Sequence, residues 1–172
     1  MKGQPARLMV LCLVAGLGFI SDADTAVLAK GNQKGAAMTS QASGTFEVKV
    51  KPLPADGKVD GLTVGRVALD KQFVGDLEGT SKGEMMTAET SVEGSGGYVA
   101  IERVDGTLRG RKGTFVLLHQ GTMKRGGDFK ILIAVVPDSG TGHLVGLTGT
   151  MAIVIKDGKH SYEFDYALPE AP

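Results

Sequence analysis

The 172-residue chain has a single cysteine, no tryptophan and few other aromatic residues, six phenylalanines and three tyrosines. Cys12 lies in an apolar segment that we predict to be removed, so the mature protein would contain no cysteine. This excludes disulfides, thiolate metal sites and cysteine nucleophiles. The scarcity of large rings also disfavours a closely shaped pocket for folding a flexible substrate.

Net charge is absent too, because 19 basic residues balance 19 acidic ones. Nucleic-acid-binding modules usually carry a clear basic excess, so a general polyanion binder is excluded. The basic residues lie among acidic ones and predict a solvated face rather than a phosphate track. They include Lys49, Lys51, Arg109, Arg111 and Lys112.

The first 23 residues have the pattern of a secretory signal peptide. Lys2 and Arg7 precede the apolar run Leu8–Ile20, which is shorter than the roughly 20 residues that span a membrane. Small residues offer two cleavage sites, at Ser21–Ala23 and Val27–Ala29. An uncleaved membrane anchor is the alternative. We expect a periplasmic or secreted protein with no stable membrane span after processing.

The remaining chain predicts a flexible arm at 24–43, one folded domain at 44–168 and a short tail at 169–172. The arm is small and polar without a period. From Gly44 onward, Phe46, Val48 and Val50 alternate with charged residues, which is the period of a half-buried strand. Pro52 and Pro54 then indicate a loop. Further strand-like runs lie near 62–74, 82–91, 97–104, 113–123, 128–136, 144–155 and 160–168.

Tight turns separate these runs. Asp105-Gly106 and Asp157-Gly158 are strong hairpin signals, because glycine accepts positive φ at no steric cost. No helical period is sustained after the leader. The pattern predicts an all-β fold, a closed antiparallel eight-stranded barrel. The repeated G-x-L-x-G segments Gly75–Gly79 and Gly106–Gly110 predict bends in its wall.

Two strands, Phe115–Leu118 and Ile131–Val136, are apolar on both faces. An antiparallel strand with one face in water alternates apolar and polar residues instead. The mature sequence has no long helix to cover them, so we predict a homo-oligomer, a dimer or trimer, packed through their outer faces.

Two segments, Gly97–Met123 and Asp138–Gly149, resemble domain-of-unknown-function family 3224, which is bacterial. The resemblance extends over residues 44–168. It implies a compact β-barrel similar to allene oxide cyclase, an architecture shared with dirigent proteins, and no known reaction. Family members mostly look cytoplasmic, so the export signal sets this chain apart.

Candidate catalytic residues follow from strand alternation. Tyr98 and Glu102 share one face of a strand, and His119 lies on the neighbouring strand. If that face is the lumen, desolvation would raise the pKa of Glu102 and make it a general acid or base near neutral pH. His119 would be its partner and Tyr98 a hydroxyl donor.

The predicted ligand-binding residues are Tyr98, Phe115, Leu117 and Arg109. A structural interpretation stays open beside the catalytic one, because perturbed carboxylates are not always functional. In it, Glu102 forms an ion pair with Arg109 or with the neighbours of Arg103, and His119 sits at the barrel rim.

Other motifs are weaker. Gly79–Gly83 matches the G-x-S-x-G elbow of hydrolases, but a strand rather than a helix follows it, so we reject that interpretation. His119, His143 and His160 lack metal-ligand spacing. We predict neither a metal nor a cofactor.

Two classes of function remain. The first is a binding module that holds a small hydrophobic ligand in the lumen, since eight strands leave room for side chains or one small ligand. The second is an isomerase or cyclase acting on a hydrophobic substrate in the same cavity. A barrel filled by its own side chains is a third option. We favour the binding module.

Overall fold

The computed structural model describes residues 39–59, 61–127 and 129–169, and these form a closed antiparallel barrel. Each strand pairs with the next in the chain, and the last strand closes against the first. The all-β prediction is confirmed, with one short 3-10 turn at Gly142–Leu144. The strands are β1 (Thr39–Val59), β2 (Leu62–Gly75), β3 (Leu77–Glu89), β4 (Gly96–Leu108), β5 (Arg111–Met123), β6 (Phe129–Val135), β7 (Thr148–Lys156) and β8 (Lys159–Ala167).

The first strand is longer than predicted at both ends. It begins at Thr39 rather than Gly44 because residues 39–46 pair with β8, and Ala42 is buried in the core. Residues 39–43 therefore belong to the barrel, while the rest of the predicted arm and the signal peptide lie outside the described residues. β1 also continues through the predicted proline loop, where its pairing with β2 is interrupted between Leu53 and Gly57. Proline lacks the N–H that a regular ladder needs.

One end of the barrel, here called the capped end, is closed by packed apolar side chains. It carries the β2–β3 and β4–β5 turns and the β6–β7 loop. β7 starts later than predicted because this loop turns Leu144 and Leu147 into the barrel, where both are fully buried. The side chains beneath them are equally buried and include Leu77, Leu108, Phe115, Tyr162 and Phe164.

Hydrogen bonds tie the turns of the capped end together. The Leu77 N–H donates to the Tyr162 hydroxyl at 2.8 Å. Asp76 accepts from the Ser43 N–H at 2.9 Å and from Arg109 at 3.2 Å, and these bonds lower the pKa of its carboxyl. The two turns and β1 are therefore held as one unit.

The repeated glycines allow two strands to approach closely. Gly79 and Gly106 face each other across β3 and β4. A Cβ on Gly79 would lie 2.3 Å from the Asp105 carbonyl oxygen and 2.6 Å from the Gly106 Cα. Only glycine fits this contact, and the predicted bends in the wall remain a prediction.

The opposite end, here called the open end, carries the four remaining hairpin turns. Along each strand at this end, inward-facing residues alternate with exposed ones. They continue the rows of buried residues that begin at the capped end. Val67 and Ala100 are buried there, but five other inward side chains are only half-buried, unlike those at the capped end. They are Leu69, Met85, Thr87, Tyr98 and Ile131. The interior is thus packed at one end and accessible at the other.

The two strands that are apolar on both faces follow the same alternation. Phe115 and Leu117 point inward and are fully buried, and Ile133 is 1% exposed. Leu118 and Leu132 point outward and stay exposed. Their unusual sequence therefore reflects an apolar outer surface, and the predicted oligomer remains a prediction.

Candidate functional site

Four polar side chains meet inside the barrel, between the capped and open ends. Lys71, Ser81, Glu102 and His119 come from the four consecutive strands β2 to β5, and none is more than 6% exposed. All four occupy inward positions, because the residues on either side of them in each strand are more exposed. We call this group the interior polar cluster.

Glu102 is the centre of the cluster. The Lys71 Nζ lies 2.6 Å from Oε2 of Glu102, and the Ser81 hydroxyl donates to Oε1. Both carboxylate oxygens therefore have a partner, which a buried charge requires.

Glycine and aromatic neighbours make room for this ion pair. Gly83 lies directly across from Glu102, and a Cβ there would be 2.9 Å from the Glu102 Cα. The Lys71 ammonium lies over the rings of Phe46 and Phe73, 5.0 and 5.8 Å from their centroids. Ring faces attract a cation, so Lys71 is stabilised on more than one side.

The pKa of Glu102 moves in the opposite direction to the one expected from sequence. Burial raises it, but His119, the charge and hydrogen bond of Lys71, and the hydrogen bond of Ser81 together lower the pKa to about 2. The expectation of a raised pKa was wrong because it did not include the positive charge of Lys71 next to Glu102. At neutral pH Glu102 is a carboxylate and holds no proton to donate.

His119 touches the cluster without a well-aligned bond. Its Nε2 lies 2.9 Å from Oε2 of Glu102, yet among the described residues this nitrogen has no aligned hydrogen-bond partner. Because alignment governs hydrogen-bond strength, we assign most of the lowering of the Glu102 pKa to Lys71 and Ser81. His119 thus retains hydrogen-bonding capacity inside the barrel.

The structure brings some of the predicted site residues together and separates others. Leu117 pairs directly with Glu102 across β4 and β5. Phe115 lies nearer the capped end and stacks on Phe164, with their ring centroids 5.9 Å apart. Tyr98 lies at the open end, where burial raises its pKa to about 12, so its hydroxyl stays protonated.

Arg109 lies outside this group. It occupies the β4–β5 turn, where its exposed guanidinium pairs with Asp76. The structural interpretation that paired Glu102 with Arg109 is therefore wrong, because Lys71 supplies the charge. Its placement of His119 at a rim is wrong as well, because that side chain is 4% exposed.

Sequence reasoning missed Lys71 and Ser81. Lys71 stands in the inward row Val67, Leu69, Lys71 and Phe73, where a charge interrupts an apolar alternation. Ser81 is the serine of the rejected G-x-S-x-G motif, and no other role was predicted for it. Its segment lies inside β3, so the helix that a hydrolase elbow needs does not follow it. A charge at an inward strand position was the available signal.

The described residues hold no group of three or more His, Cys, Asp or Glu side chains placed to bind a metal ion. Nor does this part of the chain include a helix long and apolar enough to cross a membrane.

Comparison with known proteins confirms the family resemblance. The family model described as "Protein of unknown function (DUF3224)" matches residues 42–166. A crystal structure at 1.84 Å of a protein with unknown function from the DUF3224 family, from Shewanella oneidensis MR-1, is 49% identical in sequence. The match covers 77% of this chain and 99% of that chain, with a TM-score of 0.72. No curated protein matches the sequence.

Removing the lysine charge should destabilise the barrel. We expect Lys71→Met to lose about 3–5 kcal/mol of unfolding free energy, because Glu102 is left as an unpaired buried charge. Lys71→Met combined with Glu102→Gln should recover much of the loss. Urea unfolding followed by circular dichroism measures both, and Lys49→Met on the outer face is the control, expected within about 0.5 kcal/mol of wild type. Equal losses in the single and double variants would contradict the ion-pair account.

Stability should depend on pH through Glu102. Its pKa is about 2 in the fold against 4.5 for an ordinary glutamate, so the folded state binds fewer protons between these values. The stabilisation is complete above about pH 4.5 and is lost as pH falls toward 2. Urea midpoints across this range should fall more steeply for wild type than for the Lys71→Met/Glu102→Gln variant. Parallel curves would show that Glu102 titrates normally in the fold.

Proposed function

The chain belongs to the DUF3224 family, and we propose that it is a binding module for a small, largely apolar ligand that enters the barrel at the open end. The observation that carries this proposal is the difference in burial between the two ends. Inward side chains at the capped end are fully buried, whereas Leu69, Met85 and Ile131 at the open end are only half-buried. Half-buried apolar side chains facing inward gain from covering by an apolar ligand.

The polar groups at this end define the ligand further. The Tyr98 hydroxyl stays protonated and can donate or accept, and Thr87 offers a second hydroxyl on the adjacent strand. Below them, Lys71 and Glu102 neutralise each other. With no unpaired charge to match, the site favours an uncharged ligand with an apolar body and one hydrogen-bonding group.

Binding is better supported than proton transfer by Glu102. An isomerase or cyclase using Glu102 as acid or base needs a pKa near the working pH, and the pKa of about 2 lies far below it. We extend the resemblance to allene oxide cyclase to the barrel architecture alone, and not to its reaction.

Filling the open end should abolish ligand binding. We expect Thr87→Trp to weaken binding of the uncharged fluorescent probe N-phenyl-1-naphthylamine by at least about tenfold, because the indole occupies the ligand's space. The matched control is Thr80→Trp, the same change at an outward, exposed position of β3. Fluorescence titration measures the affinities, and circular dichroism verifies that both variants fold.

Unchanged affinity in Thr87→Trp would place the probe elsewhere. Absence of probe binding to wild type, together with no retained small molecule in native mass spectrometry, would favour the barrel filled by its own side chains.

We also propose that the protein is exported to the periplasm or the medium. The basic leader and the apolar run Leu8–Ile20 support this, and the barrel begins only at Thr39. Expression of the full chain in a Gram-negative host should yield a product shortened after Ala23 or Ala29, recovered outside the cytoplasm. Intact-mass analysis of each fraction locates the cleavage, and a chain lacking residues 1–23 is the control that should stay cytoplasmic. A full-length product in the membrane fraction would support the anchor instead.

A further inference from the structure

The outer surface of β3 to β6 carries a continuous set of exposed apolar side chains, here called the apolar face. Each of its members is about half exposed to solvent. They are Met86 at 51%, Val99 at 51%, Ile101 at 52%, Leu118 at 43% and Leu132 at 50%. Surface leucines or valines are ordinary when scattered, but a contiguous patch indicates an interaction site.

The strand register makes the apolar face contiguous. Met86 pairs with Val99, Val99 with Gln120, and Gln120 with Leu132, so one row crosses all four strands. Ile101 and Leu118 pair in the adjacent row. Cross-strand partners lie about 5 Å apart, so the apolar side chains touch or nearly touch.

A groove runs beside this row on the outside of the barrel. It encloses about 630 Å³ and is lined by outward residues such as Val64, Met86 and Leu132, together with Thr87, Tyr98 and Ile131 of the open end. Ala88 and Gly97, a directly paired couple on neighbouring strands, are too small to fill it.

The outer surface of the other strands carries charged residues, with Val74 and Val154 as exposed apolar residues among them. Lys49 and Lys51 on β1, Asp70 on β2 and Asp165 on β8 are all exposed. The border between the two surfaces is the ion pair of Arg66 with Glu84, with the Nε and Oε1 atoms 2.6 Å apart. The exposed apolar residues are therefore grouped on β3 to β6 and isolated among charged residues on β1, β2 and β8.

We propose that the apolar face binds a second copy of this chain, forming a two-fold dimer. A two-fold interface uses the same patch on both copies, so it must match itself. Here a ridge of large side chains, Ile101 and Leu118, lies near a groove floored by small ones. The ridge of one copy can pack beside the groove of the other, so that mainly apolar atoms meet.

The available area fits a dimer. Five half-exposed side chains of this size present on the order of 100 Å² each, or about 500 Å² per copy. Pairing two copies would then bury about 1,000 Å² from these side chains alone, against roughly 1,200–2,000 Å² in a stable interface. Gln120 within the row, and Thr122 and Ala134 beside it, would supply the remainder. Apart from Arg66, Glu84 and Lys130 at its edges, this area carries no charge that dimerisation would desolvate.

A charge placed within the apolar face should separate the two copies. We expect the wild-type protein, expressed without residues 1–23, to sediment as a dimer at high concentration and to dissociate on dilution. Val99→Lys should weaken the dimer at least about a hundredfold, because its ammonium would be buried without a partner. The matched control is Val74→Lys, at a 58% exposed position on the charged side, which should dimerise like wild type. Analytical ultracentrifugation over a dilution series gives the dissociation constants.

A second variant and a lipid test complete the experiment. Leu132→Lys repeats the change on β6 and should act as Val99→Lys does, so misfolding of one variant does not decide the outcome. A wild type that is monomeric throughout, or variants that dimerise equally, would overturn the proposal. A monomer that co-sediments with phosphatidylglycerol vesicles would assign the face to a lipid surface instead. None of these outcomes depends on ligand binding at the open end.

Discussion

The ion pair between Lys71 and Glu102 is the constraint around which the barrel interior is arranged. A carboxylate without solvent is tolerable only with a cation and hydrogen-bond donors close by, and the two strands that supply Lys71 and Ser81 meet that need. Gly83 stands where a side chain would collide with Glu102, and Phe46 and Phe73 enclose the ammonium. These residue choices are consequences of one buried charge.

The ion pair also divides the interior into two parts with different properties. On one side, apolar side chains and the inserted Leu144 leave a dry, fully packed core. On the other, the inward row is incompletely covered and Tyr98 provides a neutral hydroxyl. The inward side chains are therefore fully buried on one side of the ion pair, and several are only half-buried on the other.

The fold was predictable from local patterns, whereas the site was only half predictable. Alternation along 97–104 and 113–120 places Glu102 and His119 on one face, and the turn residues predict an eight-stranded barrel, because both depend on near neighbours in sequence. Lys71 and Ser81 are 31 and 21 residues from Glu102, so their contacts depend on strand register, which alternation does not specify. Without Lys71, the sign of the pKa shift at Glu102 could not be derived.

The pairing of β1 with β8 has a consequence for how the chain matures. Thr39 lies opposite Ala167, so the seam joins segments from opposite ends of the polypeptide. Such distant pairing costs the most loop entropy and forms late. The cylinder cannot seal until residues 159–167 have left the ribosome. Any factor that engages the N-terminal segment during synthesis therefore meets an unsealed chain, which is the state that a narrow translocation pore can thread.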